Sequence, residues 1–118
     1  MSYDIYLKDS ATGLPIMFGA PHFLHGGTYA IGGTCEAWYN VTYNYAPHFY
    51  RLLGEKGIRS IYGMTASESI PVLEKAAIQL ASEVSDNYWD ATEGNAKKAL
   101  MDLIQLAKLS PNGIWDGD

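Results

Sequence analysis

Apolar and polar side chains alternate with a period of two along residues 35–45. The odd positions, from Cys35 to Tyr45, are apolar or aromatic, whereas the even positions include Asn40, Thr42 and Asn44. This alternation is typical of a β-strand with one buried face. At a rise of roughly 3.3 Å per residue, the three polar side chains would lie about 6–7 Å apart on the other face. We therefore predict a central strand at residues 35–43 whose polar row faces a ligand.

A short helix is predicted directly after this strand. Asn44 is placed to cap it, and Gly54 or Gly57 is placed to end it. His48 and Arg51, three positions apart, would then share one side of the helix. A strand that runs into a helix N-terminus brings free backbone N–H groups beside the polar row. Such a junction favours a negatively charged or carbonyl-bearing ligand.

Helical periodicity dominates the second half of the chain. Residues 65–68 have the spacing of a capping box, but Pro71 follows, so we predict a regular helix only over residues 70–84, with Val84 in its apolar stripe. Thr92 is predicted to open a last helix that ends near Leu109, with an inner stripe of alanine and leucine and with Asp102 on the outer side.

Strands precede helices in this pattern. Residues 3–7 and 14–18 read as a hairpin-like pair, and residues 114–116 as a short edge strand after the turn at residues 110–113. We therefore predict an α+β fold: a small, mostly antiparallel sheet from the N-terminal half, with a C-terminal edge strand, packed against two to three C-terminal helices. A length of 118 residues fits one domain, residues 1–118.

Charge and cysteine content narrow the classes of partner. The formal net charge is −5, and lysine and arginine form no run, so duplex nucleic acid is a poor partner. No stretch approaches the ~20 apolar residues of a membrane span. The single Cys35 excludes an internal disulfide, and the first residues lack the apolar core of a signal peptide. We expect a cytoplasmic protein that contacts neither duplex nucleic acid nor a membrane.

The sequence offers weak signals for metal binding and for catalysis. His22 and His25 are three apart, a spacing too sparse for a zinc site, and Cys35 reads as a buried thiol. Three acidic residues precede the last helix: Asp86, Asp90 and Glu93. They are compatible with acid–base catalysis and equally with an acidic helix start. We predict no metal, no cofactor and no catalytic residue.

A binding role rests on a combination of polar and flat aromatic side chains. The candidate ligand-binding residues are Asn40, Thr42, Tyr43, Asn44, His48, Arg51, Arg59, Tyr62 and Trp89. Amides and hydroxyls supply donors and acceptors, guanidinium groups supply fixed positive forks, and aromatic rings supply stacking surfaces. These are the groups that hold a nucleobase, a ribose and a phosphate. The same residues are also compatible with a solvent-facing sheet and an aromatic core.

Several longer segments carry a family resemblance: GGTYA, NVTYNY, HFYR, GIRSIYGM, ESIP, NYWD, TEGNA and PNGIWDGD. Through them the chain resembles a family of small proteins encoded by bacteriophages and prophages of Gram-positive bacteria. The resemblance brings no established activity and no catalytic residues. It implies a class of small proteins that bind a host component or a signalling molecule of a host defence system.

Three hypotheses follow. The first is a phage-encoded binding protein, acting in the host cytoplasm, that sequesters a small anionic, nucleotide-like ligand and so blunts a defence signal. The alternative is an inhibitor or adaptor that docks on a host or phage protein. The third is a small hydrolase that uses residues 86–93. The oligomeric state stays open: in a homodimer or higher homo-oligomer, Arg51 or Arg59 from a neighbouring subunit would complete a site for the anionic ligand of the first hypothesis.

Overall fold

The computed structural model describes residues 1–24, 26–27 and 32–118. Within these residues the fold is α+β, as predicted, with a three-stranded and a two-stranded antiparallel sheet and three α-helices. In chain order the elements are β1 (Ser2–Lys8), β2 (Met17–His22), β3 (Thr34–Glu36), β4 (Trp38–Thr42), α1 (Ala46–Leu53), α2 (Ala66–Ala77), α3 (Glu93–Leu109) and β5 (Ile114–Gly117). Short 3₁₀ helices occupy Tyr43–Tyr45 and Gly57–Ile61.

The main sheet has the strand order β4-β1-β5. Its inner face is apolar because every second residue of β1, starting at Tyr3, is buried together with Tyr39 and Val41 of β4 and Trp115 of β5. Two polar contacts fix the helices on this face. The Tyr39 hydroxyl reaches α3, and the Trp115 indole N–H donates to Ser69 of α2 at 2.7 Å. The edge strand predicted at residues 114–116 is confirmed as β5.

The predicted strand at residues 35–43 is wrong in one respect, because it is two strands in different sheets. Ala37 separates β3 from β4, is fully buried, and donates its main-chain N–H to the carbonyl of Ile16 at 2.9 Å. The hairpin-like pair predicted for residues 3–7 and 14–18 is present as an isolated bridge between Lys8 and Pro15 rather than as two paired strands. The chain then leaves β1, and β2 pairs with β3. The alternating pattern thus spans a point where the chain changes sheets.

The start of α1 also differs from the prediction. Asn44 caps no helix; instead the Thr42 side chain accepts the main-chain N–H of residue 44 and opens the 3₁₀ helix. The N-cap of α1 is Tyr45, which contributes no side-chain hydrogen bond. Gly54 ends α1 with φ at 95°, as predicted, because this left-handed conformation favours glycine.

The second helix begins and ends earlier than predicted. Thr65 and Glu68 form both halves of the capping box, so α2 starts at Ala66 and carries Pro71 in its interior. The helix ends at Ala77, and Val84 is 63% exposed rather than in the core. The local cap therefore outweighs the single hydrogen bond that proline removes.

The last helix agrees with the prediction at its start and along its core stripe. Thr92 caps α3 by accepting the main-chain N–H of Asn95, and Leu100 and Leu103 are fully buried. Asp102, expected on the outer side, is buried because it bonds Tyr39. In the part of the chain described by the structure, no helix is long and apolar enough to cross a bilayer.

Candidate functional site

The candidate residues chosen from the sequence do not meet at one place. The structure distributes them over three surroundings: the buried outer face of β4, a loop held against α1, and a cluster around Arg59. A fourth feature, a cavity lined by tyrosine side chains, lies beside α3. Only some of these groups of residues retain hydrogen-bond donors or acceptors that are free for a ligand.

Asn40 and Thr42 are buried and use their polar groups inside the protein. The Asn40 amide nitrogen lies 2.8 Å from the Ser2 hydroxyl and 3.0 Å from an Asp4 carboxylate oxygen. The main-chain N–H of Thr42 donates to the Tyr88 hydroxyl at 2.8 Å. Buried polar groups are stable when they are paired in this way. The predicted ligand-facing row is therefore part of the fold.

Asn44 and His48 bind the protein's own backbone. The Asn44 amide donates to the main-chain carbonyl of residue 89, and the His48 ring donates to that of residue 91. The hydroxyl of Tyr45 donates to the main-chain carbonyl of residue 88. From the other side, the Asn95 amide donates to the carbonyls of residues 87 and 90 at 3.1 and 2.9 Å. Residues 85–91, here called the clamped loop, therefore have five successive carbonyls, 87–91, that accept side-chain donors.

Arg51 and Trp89 lie on the outside of this arrangement. Because His48 Nε2 faces a carbonyl, it must carry the proton, so its Nδ1 accepts from Arg51 Nη2 at 3.1 Å. Arg51 is exposed, and the Trp89 side chain is 53% exposed beside the ring of Tyr88. Both side chains therefore lie on the surface of the protein.

Tyr43, Arg59 and Tyr62 do come together, and Tyr3 joins them; we call these four residues the Arg59 cluster. The guanidinium carbon of Arg59 lies 4.8 Å from the centre of the Tyr3 ring and 5.8 Å from that of Tyr43. Arg59 Nη2 donates to the Tyr43 hydroxyl at 3.3 Å, and Nε donates to the main-chain oxygen of Asp118 at 2.7 Å. Burial, and then the Asp118 carboxylate, raise the pKa of Tyr62.

A cavity of about 300 Å³, here called the tyrosine cavity, lies between β4, α3 and the clamped loop. Its lining residues are Gly26, Tyr39, Tyr45, Val84, Ser85, Asp86, Tyr88, Asn95, Lys98 and Ala99. The alternating pattern of residues 35–45 predicts Tyr39 and Tyr45 on the buried face of a strand rather than at a ligand site. None of the nine candidate residues lines it, because its walls come from parts of the chain that are distant in sequence.

The polar groups of the tyrosine cavity form a small network. Asp102 Oδ2 accepts the Tyr39 hydroxyl and a Lys98 ammonium N–H, each at 2.7 Å. Burial, and then the nearby Asp102 charge, raise the pKa of Tyr39, and burial raises the pKa of Tyr45 and Tyr88. The three phenols are therefore neutral at physiological pH. Lys98 stays 60% exposed at the mouth.

Two of the three acidic residues proposed for catalysis serve the local structure. The Asp90 carboxylate accepts the Ser85 hydroxyl at 2.6 Å and the side-chain amide of residue 87 at 3.2 Å. Glu93 accepts the main-chain N–H of Ala81 at 2.9 Å. Asp86 is exposed at the rim of the tyrosine cavity. Of these three carboxylates, Asp86 is the one that lines the tyrosine cavity.

The histidines and the cysteine give no metal cluster within the described ranges, where no group of three metal-ligating side chains is present. His22 Nε2 lies 2.6 Å from the carbonyl of Glu36, and its Nδ1 accepts the N–H of Leu24 at 3.2 Å. Its two ring nitrogens therefore bond β3 on one side and the residue two positions after His22 on the other. His25 lies outside the described residues, and Cys35 is a free, half-buried thiol.

Comparisons of the chain with models of protein families, with curated proteins and with solved structures find no match. The resemblance to phage-encoded proteins therefore stays a prediction that rests on the sequence segments quoted above.

Proposed function

We propose that the protein is a small binding protein that holds a flat, anionic, nucleotide-like molecule in the tyrosine cavity. One observation carries this proposal: the side chains of Tyr39, Tyr45 and Tyr88 line one cavity together with Lys98 and Asp86. Concave sites that are mostly apolar, with a few convergent polar groups, are the usual form of small-molecule sites.

The size and the aromatic walls favour a single nucleotide. A volume of about 300 Å³ lies at the lower end of the range for ligand sites, which suits one base with its sugar better than a longer chain. The rings of Tyr45 and Tyr88 lie 5.5 Å apart at 63°. Base stacking on an aromatic side chain contributes about 1–3 kcal/mol and tolerates any base.

The charged groups at the mouth suit the rest of such a ligand. An ammonium group has three N–H donors, and Lys98 uses one on Asp102, so the others remain for a phosphate or carboxylate. Asp86 can accept hydrogen bonds from sugar hydroxyls. Asp102 is buried and also bonds Tyr39, so it holds the ammonium at a fixed position. Lys98 thus places one cationic group, paired with Asp102, at the mouth of a cavity in a chain whose formal net charge is −5.

The biological role proposed here rests on the resemblance of the chain to small phage-encoded proteins. A phage-encoded protein that holds a nucleotide-like signal without converting it would lower the free concentration of that signal in the host cytoplasm. This counter-defence role needs binding alone, so the absence of a free carboxylate pair in the clamped loop is compatible with it.

A second candidate function is docking on a host or phage protein, as an inhibitor or adaptor. It is favoured by large apolar side chains that remain exposed. Met17 is 62%, Phe23 69% and Trp89 53% exposed. Aromatic residues and methionine are enriched at protein interfaces. Capture of one specific protein together with unchanged melting in every nucleotide would favour this function.

Thermal unfolding with a panel of mononucleotides and cyclic nucleotides tests the first proposal. A ligand at a hundredfold excess over its Kd adds about 2.7 kcal/mol, a rise of several degrees in Tm for a domain of this size. Lys98→Gln should reduce the rise, whereas Lys108→Gln, an exposed lysine near the end of the same helix, should not. No rise with any nucleotide, or an equal rise in both variants, would overturn the proposal. Recovery of the intact nucleotide separates binding from hydrolysis.

A further inference from the structure

Arg59 is fixed in place but does not use all its donors. A guanidinium group carries five N–H bonds. In the described part of the chain, Nε donates to Asp118 and one Nη2 N–H donates to Tyr43. Three N–H groups therefore remain. The Tyr3 and Tyr43 rings hold the guanidinium plane, so a ligand would meet it without further ordering of the side chain.

The hydroxyl of Tyr62 is buried and has no hydrogen-bond partner among the described residues. A buried hydroxyl without a partner costs folding free energy. Such groups are uncommon in folded proteins, and the O–H of Tyr62 remains available as a hydrogen-bond donor. Arg59 and Tyr62 are close enough for the guanidinium charge to oppose the rise in the pKa of Tyr62. The phenol O–H of Tyr62 and the three remaining guanidinium N–H groups of Arg59 therefore belong to one cluster.

Residues 117 and 118 lie across this cluster. A Cβ atom built on Gly117 would lie 2.5 Å from the Tyr62 hydroxyl, so the backbone itself covers that oxygen. The main-chain oxygen of Asp118 occupies Arg59 Nε, and its carboxylate accepts the main-chain N–H of Asp4 at 2.9 Å. A main-chain oxygen thus already occupies the position of an oxyanion on the guanidinium group.

We propose that the Arg59 cluster is a second ligand site, separate from the tyrosine cavity, for a phosphate group that replaces the Asp118 oxygen on Arg59 and accepts the hydroxyl of Tyr62. A phosphate has enough oxygens for donors that approach from two directions, whereas a carboxylate has two oxygens in one plane. The nearby Asp116 carboxylate does not compete for Arg59, because it is paired with Lys8 at 3.0 Å.

Without a ligand, residues 117 and 118 cover this site, and a bound phosphate takes the place of the Asp118 oxygen. In the unliganded arrangement Tyr62 lacks a partner, and in the liganded arrangement it gains one while Asp118 moves into water. The destabilisation caused by the unpartnered hydroxyl therefore offsets part of the cost of moving residues 117 and 118, a move that also breaks the pairing of Gly117 with Ile5 of β1. Binding of phosphate and displacement of these two residues are then one event.

Titration with inorganic phosphate, against chloride at equal ionic strength, tests the proposal. We expect wild type to bind phosphate, Arg59→Gln to lose binding and Tyr62→Phe to bind at least tenfold more weakly. Tyr62→Phe should fold as well as wild type, because the hydroxyl it removes has no partner. Arg51→Gln, at the other arginine, should bind as wild type does.

Phosphate also stabilises proteins non-specifically, so the readout is the difference between variants rather than the rise itself. Equal phosphate binding by wild type and Tyr62→Phe, or no binding by wild type, would overturn the proposal. Lys98→Gln, at the tyrosine cavity, should retain phosphate binding at the Arg59 cluster. Failure of nucleotide binding in the cavity is thereby distinguished from failure of this second site.

Discussion

The side-chain amide of Asn44 donates a hydrogen bond of 2.9 Å to the main-chain carbonyl of Trp89. This contact joins the turn after β4 to a loop 45 positions further along the chain. It shows that a polar side chain chosen as a ligand-binding group instead positions the clamped loop. That loop carries Tyr88, whose side chain lines the tyrosine cavity, so Asn44 acts on the proposed site indirectly.

Asn44→Ala should loosen the clamped loop. We expect the free energy of unfolding to fall by about 0.5–1.5 kcal/mol, the usual contribution of one hydrogen bond, and amide exchange to accelerate in residues 85–91. Urea unfolding and hydrogen exchange measure the two effects. Gln105→Ala, at an exposed position of α3, is the control. Unchanged stability and exchange in Asn44→Ala would show that the clamp does not hold the loop.

Gly94→Ala should damage the start of α3. A Cβ atom at this position would lie 1.8 Å from the carbonyl oxygen of Glu83, so the backbone on one side has to move. We expect a loss of about 1–3 kcal/mol, the range for overpacking, measured by urea unfolding. Gly19→Ala is the matched control, because its Cβ would meet no atom within 4 Å. Equal stability of the two variants would contradict the close approach of Gly94 to Glu83.

Acid should remove a stabilising contribution from Asp116. The hydrogen bond from Lys8, and then the main-chain N–H of Gly117, lower the pKa of this carboxyl. A lowered pKa in the folded state means that the contribution is present above the unfolded pKa, near pH 4, and is lost as pH falls through the lower folded pKa.

Asp116→Asn should therefore destabilise the protein at neutral pH and make less difference near pH 2. Chemical unfolding of wild type and variant across this pH range measures the difference directly. A gap in stability that stays constant with pH would show that the charge of Asp116 contributes nothing.

High pH should unfold the protein, because its buried tyrosines ionise more readily in the unfolded chain. Burial raises the pKa of Tyr39, Tyr45 and Tyr62, so in the folded state these phenols keep their protons above pH 10. The unfolded chain releases them near pH 10, so stability is complete below that pH and falls as pH rises above it. Tyrosinate absorbance and circular dichroism followed together should show part of the ionisation only as helix is lost. Full ionisation before unfolding would contradict this burial.

Local signals explain why much of the fold was predictable. Thr92 and Gly54 mark helix ends through contacts within a few residues, and the stripe of α3 has helical spacing. Where two local signals conflict, their balance decides, as at α2, where the capping box of Thr65 prevails over Pro71. The sequence pattern alone does not show which of two conflicting local signals is energetically stronger.

The candidate site was less predictable because its partners are distant in sequence. The polar row of β4 has the spacing expected for a ligand-facing row, but Ser2 and Asp4 of the neighbouring strand pair with Asn40. The tyrosine cavity joins Tyr39 to Lys98, and no periodicity links these positions. Of the predicted set, Tyr43, Arg59 and Tyr62 lie in one cluster, and His48 and Arg51 share a hydrogen bond on the surface.

Amide chemical-shift mapping with the nucleotide that raises the Tm most tests the central claim most directly. The account predicts the largest changes at residues 39, 45, 88 and 98–99, which line the tyrosine cavity, and loss of these changes in Lys98→Gln. Changes centred elsewhere, or a wild-type spectrum that no nucleotide alters, would contradict a nucleotide-binding function of the cavity.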